Sequence, residues 1–410
     1  MHPKEIATQI VHKLNHAGYK AYFAGGWVRD YLMEHPSDDI DIATDAPPQV
    51  ILDLFPHTLL VGLAFGVVIV VVGNHQFEVS TFRRDVEYIN GRRPESIELS
   101  TAEEDALRRD FTINGMFYDP IEEKIYDFVH GMEDLKKGII RTIGDPFERF
   151  AEDRLRMIRA IRFAARFGFP IEPETQVAIQ ENAETLFPAV AIERVWNEFI
   201  KMSRYPRLDQ AFIDMQRLGL LPVIFPDLKT VHLNEIKHHV RAFSRFPKII
   251  PPILFLTALF PHYDAKKIED LCLYLRTSTQ DLKCAQFMQE SKKILNTPEK
   301  MSDVLWVYFY AHSLSNLCLD IYASYLEEPE KHAFYEMHHT NQKRLRAHIQ
   351  RVIEKVPLVT SSHLKSEGIL EGKRMGTLLK EAEQKAIFYN LNNAQDVLRL
   401  LKTSENWPQV

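Results

Sequence analysis

The sequence predicts an α+β protein, with an α/β part over the first 140 residues or so and an all-helical remainder. Three observations predict it. Strand-like and helix-like segments alternate up to about residue 140. After about residue 145 strand signals stop, and short Pro or Gly breaks such as "FGFPIEPET", "SRYPRLD" and "RFPKIIPPI" punctuate helical sequence. A chain of 410 residues also exceeds one ordinary core, so two to four domains are expected.

In chain order, an amphipathic helix over about 3–17 leads to the strand "AYFAGG", the helix "WVRDYLME", the strand "DDIDIAT", the helix "PPQVILDLF" and the strand "HTLLVG". A hairpin follows in "GVVIVVVGNHQFEVSTFR", where Gly73-Asn74 separates two extended runs. The stretch "RRDVEYINGRRPESIELSTAEED", rich in charge and turn residues, reads as a loop between strand and helix. Fixed-period repeats are absent, so a solenoid is not expected.

Composition narrows the function classes. The most apolar run, "LLVGLAFGVVIVVVG", is short, holds three glycines and reads as a buried strand, so no membrane span is expected. The amino end carries both charge signs and no cleavable hydrophobic core, which points to a cytoplasmic protein. Cys272, Cys284 and Cys318 lie far apart without metal-type spacing, as reduced core thiols would. With 50 Lys and Arg against 56 Asp and Glu, the net charge of −6 excludes a protein that coats nucleic acid along its whole surface, and leaves local basic patches open.

Chemistry concentrates in four places. "FAGGWVRD" sets Gly25 and Gly26 between a strand and a helix, where bare backbone N–H groups approach phosphate oxygens and Arg29 adds charge-assisted bonds. Thirteen residues beyond Gly26, "SDDIDIATD" places Asp39 and Asp41 on one face of a strand, with Ile40 and Ile42 on the other. Two anions so close repel unless a cation lies between them, and a phosphate cradle beside paired carboxylates suits Mg²⁺-dependent nucleotidyl transfer. Glu78, in "QFEVSTFR", is a candidate accessory acid, its alternative being an ordinary solvent-facing strand residue. In "EEDALRRDFTING", Arg108 and Arg109 stand ready for phosphate and Asp110 for a ribose hydroxyl. In "ERFAEDRLRMIRAIRFAARFGF", Leu155, Ile158, Ile161 and Ala165 form an apolar stripe, while Arg159, Arg162 and Arg166 fall on another face. Glu152 and Asp153 precede Arg156 by four and three residues, as intrahelical ion pairs do. An Asp that accepts and an Arg that donates can also read the Watson–Crick edge of a base. Six arginines between Arg149 and Arg166 against two acids predict a local positive surface for a triphosphate or an RNA end.

These segments together resemble the class II tRNA nucleotidyltransferase and bacterial poly(A) polymerase family, of the DNA polymerase β-like nucleotidyltransferase superfamily. The resemblance rests on "GGWVRDYLMEHPSDDIDIATD", "RRDFTING", "YDFVHGMEDLKKGIIRTIGDP", "EDRLR" and "IERVWNEF", in that order, over roughly Ala21 to Phe199. One departure is Ala191-Ile192 before Glu193-Arg194, where many members carry a helix-capping Ser.

The resemblance implies that Asp39 and Asp41 bind two Mg²⁺ ions, with Mn²⁺ an alternative, and that Gly25, Gly26 and Arg29 hold the triphosphate. It implies that Arg109 and Asp110 contact phosphate and ribose, with Asn114 of the same motif, Arg159 and Arg162 completing the nucleotide set. Asp153 and Arg156 become the protein template for the incoming base, with Glu152 accessory. A catalytic head (1–140), a nucleotide-selecting neck (141–205), a body (206–335) and an RNA-binding tail (336–410) follow. The implied reaction adds CMP and AMP from CTP and ATP to a tRNA 3′ end, without a membrane or an obligate protein partner. Poly(A) polymerase is the alternative; against it, residues 331–410 hold 13 Lys and Arg to 8 Asp and Glu, only moderately basic. An RNA-binding protein without catalysis is the alternative of another class, and it would be signalled by a lost metal ligand. No H…HD…D hydrolase signature is present in the C-terminal half.

Overall fold

The computed structural model describes residues 2–35, 37–60, 66–89 and 93–408, with the backbone alone for 85–89 and 93–97. The chain forms two compact units, 1–238 and 239–410.

The first unit opens with α1 (Pro3–His16), which His2 and Glu5 start as a capping box with Pro3 in the first turn. Its buried face, Ile6, Ile10, Val11 and Leu14, covers a mixed sheet. The sheet strands are β1 (Ala21–Ala24), β2 (Asp41–Thr44), β3 (Thr58–Leu59), β4 (Val67–Val72), β5 (His75–Thr81), β8 (Met116–Asp119) and β9 (Lys124–Asp127), in the order β3-β4-β5-β2-β1-β8-β9. Only β2 and β5 run parallel; the remaining neighbours are antiparallel. The Gly73-Asn74 hairpin between β4 and β5 forms as the sequence predicts.

Two expectations change. Asp41 is the first residue of β2, so Asp39 lies in the segment leading into the strand and not within it. The stretch expected as a loop forms a two-stranded ribbon, β6 (Arg83–Ile89) and β7 (Arg93–Leu99), with residues 90–92 outside the described set. Arg84 and Glu98 face each other across it and pair at 2.5 Å. The strand expected over "HTLLVG" is described only as far as residue 60.

Between the strands lie α2 (Gly26–Leu32), α3 (Pro48–Leu54) and α4 (Ala102–Leu107), then α5 (Gly131–Lys137). Helices take over from there, with α6 (Pro146–Glu152), α7 (Leu155–Phe167), α8 (Pro173–Asn182), α9 (Leu186–Ala189), α10 (Ile192–Met202) and α11 (Leu208–Arg217). Helix α7 packs on α10 and α11 through its apolar stripe, and Leu155, Ile158, Ile161 and Ala165 are all buried. Ala191 gives α10 no side-chain cap, in keeping with the Ser missing there.

The second unit is helical throughout its described residues. Cys272, Cys284 and Cys318 are free and buried, as predicted. Near its end Leu364, Leu378, Val397 and Leu401 close a separate apolar cluster. Among the described residues no helix is long and apolar enough to cross a membrane.

Candidate nucleotide site

Strand β1 ends at Ala24, and the chain turns at Gly25, whose φ of 64° lies in the left-handed region. That turn starts α2 and leaves the backbone bare on one side, where Arg109 lies against it. The next strand over, β2, begins at Asp41, and the register sets Asp41 beside Ala24. Parallel pairing of Ile42 with Val79 brings Glu78 of β5 next to Asp41 on the other side.

Asp41 keeps solvent-accessible surface where it faces the cavity, yet its carboxyl is otherwise enclosed by protein. Burial and the neighbouring carboxylates of Glu78 and Asp39 push it up to about 7, against the opposing pull of Arg109. The repulsion expected from two close acids is therefore present. Every donor there is a hard oxygen, the set that suits a hard divalent cation.

The turn after α4 supplies the opposite charge. Asp105, almost fully buried, holds Arg108 at 2.7 Å and Arg109 at 3.0 Å. Burial acts to raise Asp105, but the two guanidiniums outweigh it and hold the carboxyl below its ordinary range. Asp110 accepts from the Phe111 amide at 2.8 Å, from Asn114 Nδ2 at 3.1 Å and from Arg159 Nε at 2.8 Å. Here too burial opposes ionisation, and Arg159 and Asn114 prevail, bringing Asp110 down to about 2.

Helix α7 faces this group with its arginines, and the structure corrects the expected positive surface. Each arginine is matched by a carboxylate from a different element. Arg156 pairs with Glu152 of α6, Arg159 with Asp110, Arg162 with Glu198 of α10, and Arg166 with Asp30 of α2. Arg149 also pairs with Glu152, at 2.9 Å. Sequence could not reveal this, because the partners of Arg159, Arg162 and Arg166 lie 49, 36 and 136 residues away. The two candidate base-reading groups are likewise held. Asp153 accepts from the Leu155 amide at 3.0 Å and from Arg194 at 2.9 Å. Arg156 donates to the carbonyls of Arg149 and Arg108 at 3.1 and 3.0 Å.

One cavity of about 490 Å³ is lined by Gly25, Gly26, Arg29, Asp39, Asp41, Arg109, Asp110, Asn114, Asp153, Arg156, Arg159 and Arg162. Its size falls within the range of ligand clefts, roughly 300–1,000 Å³. Sequence reasoning had named every one of these residues. Glu78 and Glu152 do not line it; the first flanks Asp41 and the second braces Arg156. Missed as site residues were Trp27, Asp30, Ser37, Leu155, Phe163 and Arg194; Arg108 was read as a phosphate ligand, and Arg166 was noted only as a basic residue. The signal for Asp30 was in plain view, since it closes "GGWVRD" next to Arg29. Eight arginines and five aspartates line the walls, and the arginines are braced by carboxylates in the lining or directly behind it. Among the described residues, no three His, Cys, Asp or Glu side chains are grouped so as to hold a metal ion between them.

Comparison with known proteins bears on this arrangement. Residues 21–141 match the family described as poly A polymerase head domain, and residues 168–231 match the probable RNA- and SrmB-binding site of polymerase A. A CCA-adding enzyme of Lactobacillus helveticus is 42% identical over 207 residues, covering 50% of this chain and 51% of that protein. One from Anoxybacillus flavithermus is 39% identical over 254 residues, 60% and 63% of the two chains. The matched stretch thus spans about half to three-fifths of these curated relatives. The solved CCA-adding enzyme of Bacillus stearothermophilus in complex with CTP superposes with a TM-score of 0.76 at 25% identity, over 97% of this chain and 96% of the other. That of Thermotoga maritima complexed with tRNA shares the fold, with a TM-score of 0.68 at 20% identity. Residues 21–141 and 168–231 thus match the polymerase A head domain and RNA-binding region, on a chain with the fold of the solved CCA-adding enzymes.

Proposed function

We propose that this protein is a nucleotidyltransferase that adds CMP and AMP to the 3′ end of tRNA without a nucleic-acid template. The observation that carries the reading is the single cavity in which a bare glycine turn, two carboxylates and the arginine row of α7 meet. The site residues divide the work. Gly25 and Gly26 leave backbone room for phosphate oxygens beside Arg109, which is drawn both to those phosphates and to Asp41. Asp110 and Asn114, already hydrogen-bonded to each other, offer a fixed rim for the ribose. Asp153 and Arg156, each braced from behind, present an acceptor and a donor to the base with their geometry set beforehand.

Asp39 and Asp41 would hold the divalent cation, Mg²⁺ or Mn²⁺, and triphosphate oxygens and water would complete its shell, because Mg²⁺ usually takes only one or two protein carboxylates. When bound, the cation neutralises phosphate charge and makes the attacking hydroxyl more acidic. The protein's own contribution is positioning: it holds the nucleotide in line and surrounds the leaving pyrophosphate with guanidinium charge. We assign residues 1–140 as head, 141–205 as neck, 206–335 as body and 336–410 as an RNA-binding tail, in a protein working in the cytoplasm.

Addition of CCA is favoured over poly(A) synthesis because the relatives and solved neighbours named above are CCA-adding enzymes, two of the solved ones holding CTP or tRNA. The test supplies purified protein with tRNAs ending before CCA and after CC, and with an unrelated oligoribonucleotide, giving CTP or ATP separately. Two C additions are expected on the tRNA ending before CCA when CTP is given, one A on the tRNA ending after CC when ATP is given, and none on the oligoribonucleotide. A long A ladder on every RNA would instead identify a poly(A) polymerase, and no extension of any RNA would overturn transfer altogether.

A further inference from the structure

One ring of hydrogen bonds starts and ends on α7. Arg166 donates to Asp30 Oδ2 at 2.9 Å, and Asp30 Oδ1 accepts from Arg29 Nε and Nη2 at 2.9 and 2.8 Å. Arg29 Nη1 donates to Asn114 Oδ1, Asn114 Nδ2 to Asp110, and Asp110 closes the ring by accepting from Arg159. Arg159 and Arg166 are seven residues apart, so the ring spans about 10 Å of helix.

We infer that Asp30 is a positioning residue for nucleotide selection, the junction that locks the glycine-turn helix α2 to the base-reading helix α7. Asp30 is 5% exposed and Arg29 only 2%. Among the described residues its carboxylate is the one anion paired with both Arg29 and Arg166. Three N–H donors already fill most of its acceptor sites, which suits a brace better than a substrate contact. Burial disfavours the charged Arg29 guanidinium and Arg166 adds to that effect, while the Asp30 carboxylate opposes both, so Asp30 offsets part of the cost of burying that charge. The rings of Phe163 and Phe167 hold Arg29 in place at 5.4 and 4.7 Å, so what Asp30 adds is the tie to Arg166.

The consequence rests on the transfer reading above. The phosphate end of the nucleotide is set by α2 and the base end by α7. A tie between them fixes how far apart the two ends are held, and a misplacement of 1 Å can cost about 100-fold in rate. An untied pair of helices should therefore accept bases of the wrong size.

The test measures kcat and KM for CTP, ATP, UTP and GTP with wild type, Asp30→Asn, Arg166→Gln and the double variant. Asp30→Asn should raise KM for CTP and ATP about tenfold and cut the preference over UTP and GTP by a similar factor. Arg166→Gln keeps the buried Arg29–Asp30 pair and so leaves the fold intact, and it should lose preference with little change in KM. The double variant should be no worse than Asp30→Asn, as for two groups in one interaction. A preference unchanged within about twofold in both single variants, or additive losses in the double, overturns the brace while wild-type transfer stands. A wild type that transfers nothing overturns the reading beneath it, and the brace with it.

Discussion

A methyl group added at Gly25 would come within 2.9 Å of Arg109 Nη1, on a backbone whose φ is 64°. Gly18 has an even more positive φ, 90°, but open space where its methyl would go. The two glycines separate strain from displacement. Each change to Ala should cost about 1–3 kcal/mol of stability, the ordinary cost of a side chain in that region. Only Gly25→Ala should also weaken nucleotide binding, by about tenfold or more, because Arg109 must leave the phosphate cradle. Equilibrium binding of CTP and urea unfolding check both halves, and equal binding by the two variants would refute the role given to Arg109. At this scale the paired glycines and the D-x-D acids were legible, since both are local patterns. The position of Arg109 over Gly25 was not, because only the fold joins residues 84 apart.

Helix α7 shows what periodicity can and cannot say about an element. Its apolar stripe was read correctly, since 3.6-residue spacing reports which face is buried. Its arginines looked like a solvated positive face, yet Arg156 and Arg162 are buried, because carboxylates from other elements make burial tolerable. Glu198 is the most enclosed of these partners, 2% exposed and bound to both Arg162 and Lys201. Replacing it with Gln leaves Arg162 without its anion, and we expect a loss of about 3 kcal/mol in urea unfolding. A loss under about 0.5 kcal/mol, typical of exposed pairs, would show that the ion pair does not hold α10 to α7. The ribbon β6–β7 was missed for the opposite reason. Its charge and turn residues were read as a loop, although β-branched and aromatic residues flank Asn90-Gly91 in the sequence and Arg84 meets Glu98 as a cross-strand pair.

Across the whole molecule the two units differ in how their polar groups are buried. The first buries several charged groups, Arg29, Asp30, Asp110, Arg156 and Arg162 among them, in the wall of one cavity. The second buries neutral groups, and His338 is the clearest: it lies against Trp306 and Phe334, its Nδ1 bonded to the Tyr310 hydroxyl at 2.8 Å. Burial pushes His338 down to about 4 from an ordinary value of 6.5. Between those values the unfolded chain binds the proton and the folded unit does not. The stabilisation is therefore complete above pH 6.5 and drains away as pH falls toward 4. Between pH 7 and pH 5 that amounts to about 2 kcal/mol. Urea unfolding at the two pH values should show this extra slope in wild type and lose it in His338→Gln; equal slopes would place His338 in water. The α/β-to-helical division of the chain was legible because alternation and Pro or Gly breaks are written locally. The ion pairs that assemble the site were not, since they join segments up to 136 residues apart.

Transfer at this site requires Asp39 and Asp41 to act together at the mouth of the glycine turn. The most direct measurement compares CMP and AMP incorporation into tRNA lacking CCA by wild type, Asp39→Ala and Asp41→Ala, with circular dichroism confirming that each variant is folded. Wild type should complete CCA and each variant should add nothing, while folding as well as wild type, because the change removes one of two repelling anions. Normal incorporation by either folded variant would contradict the account.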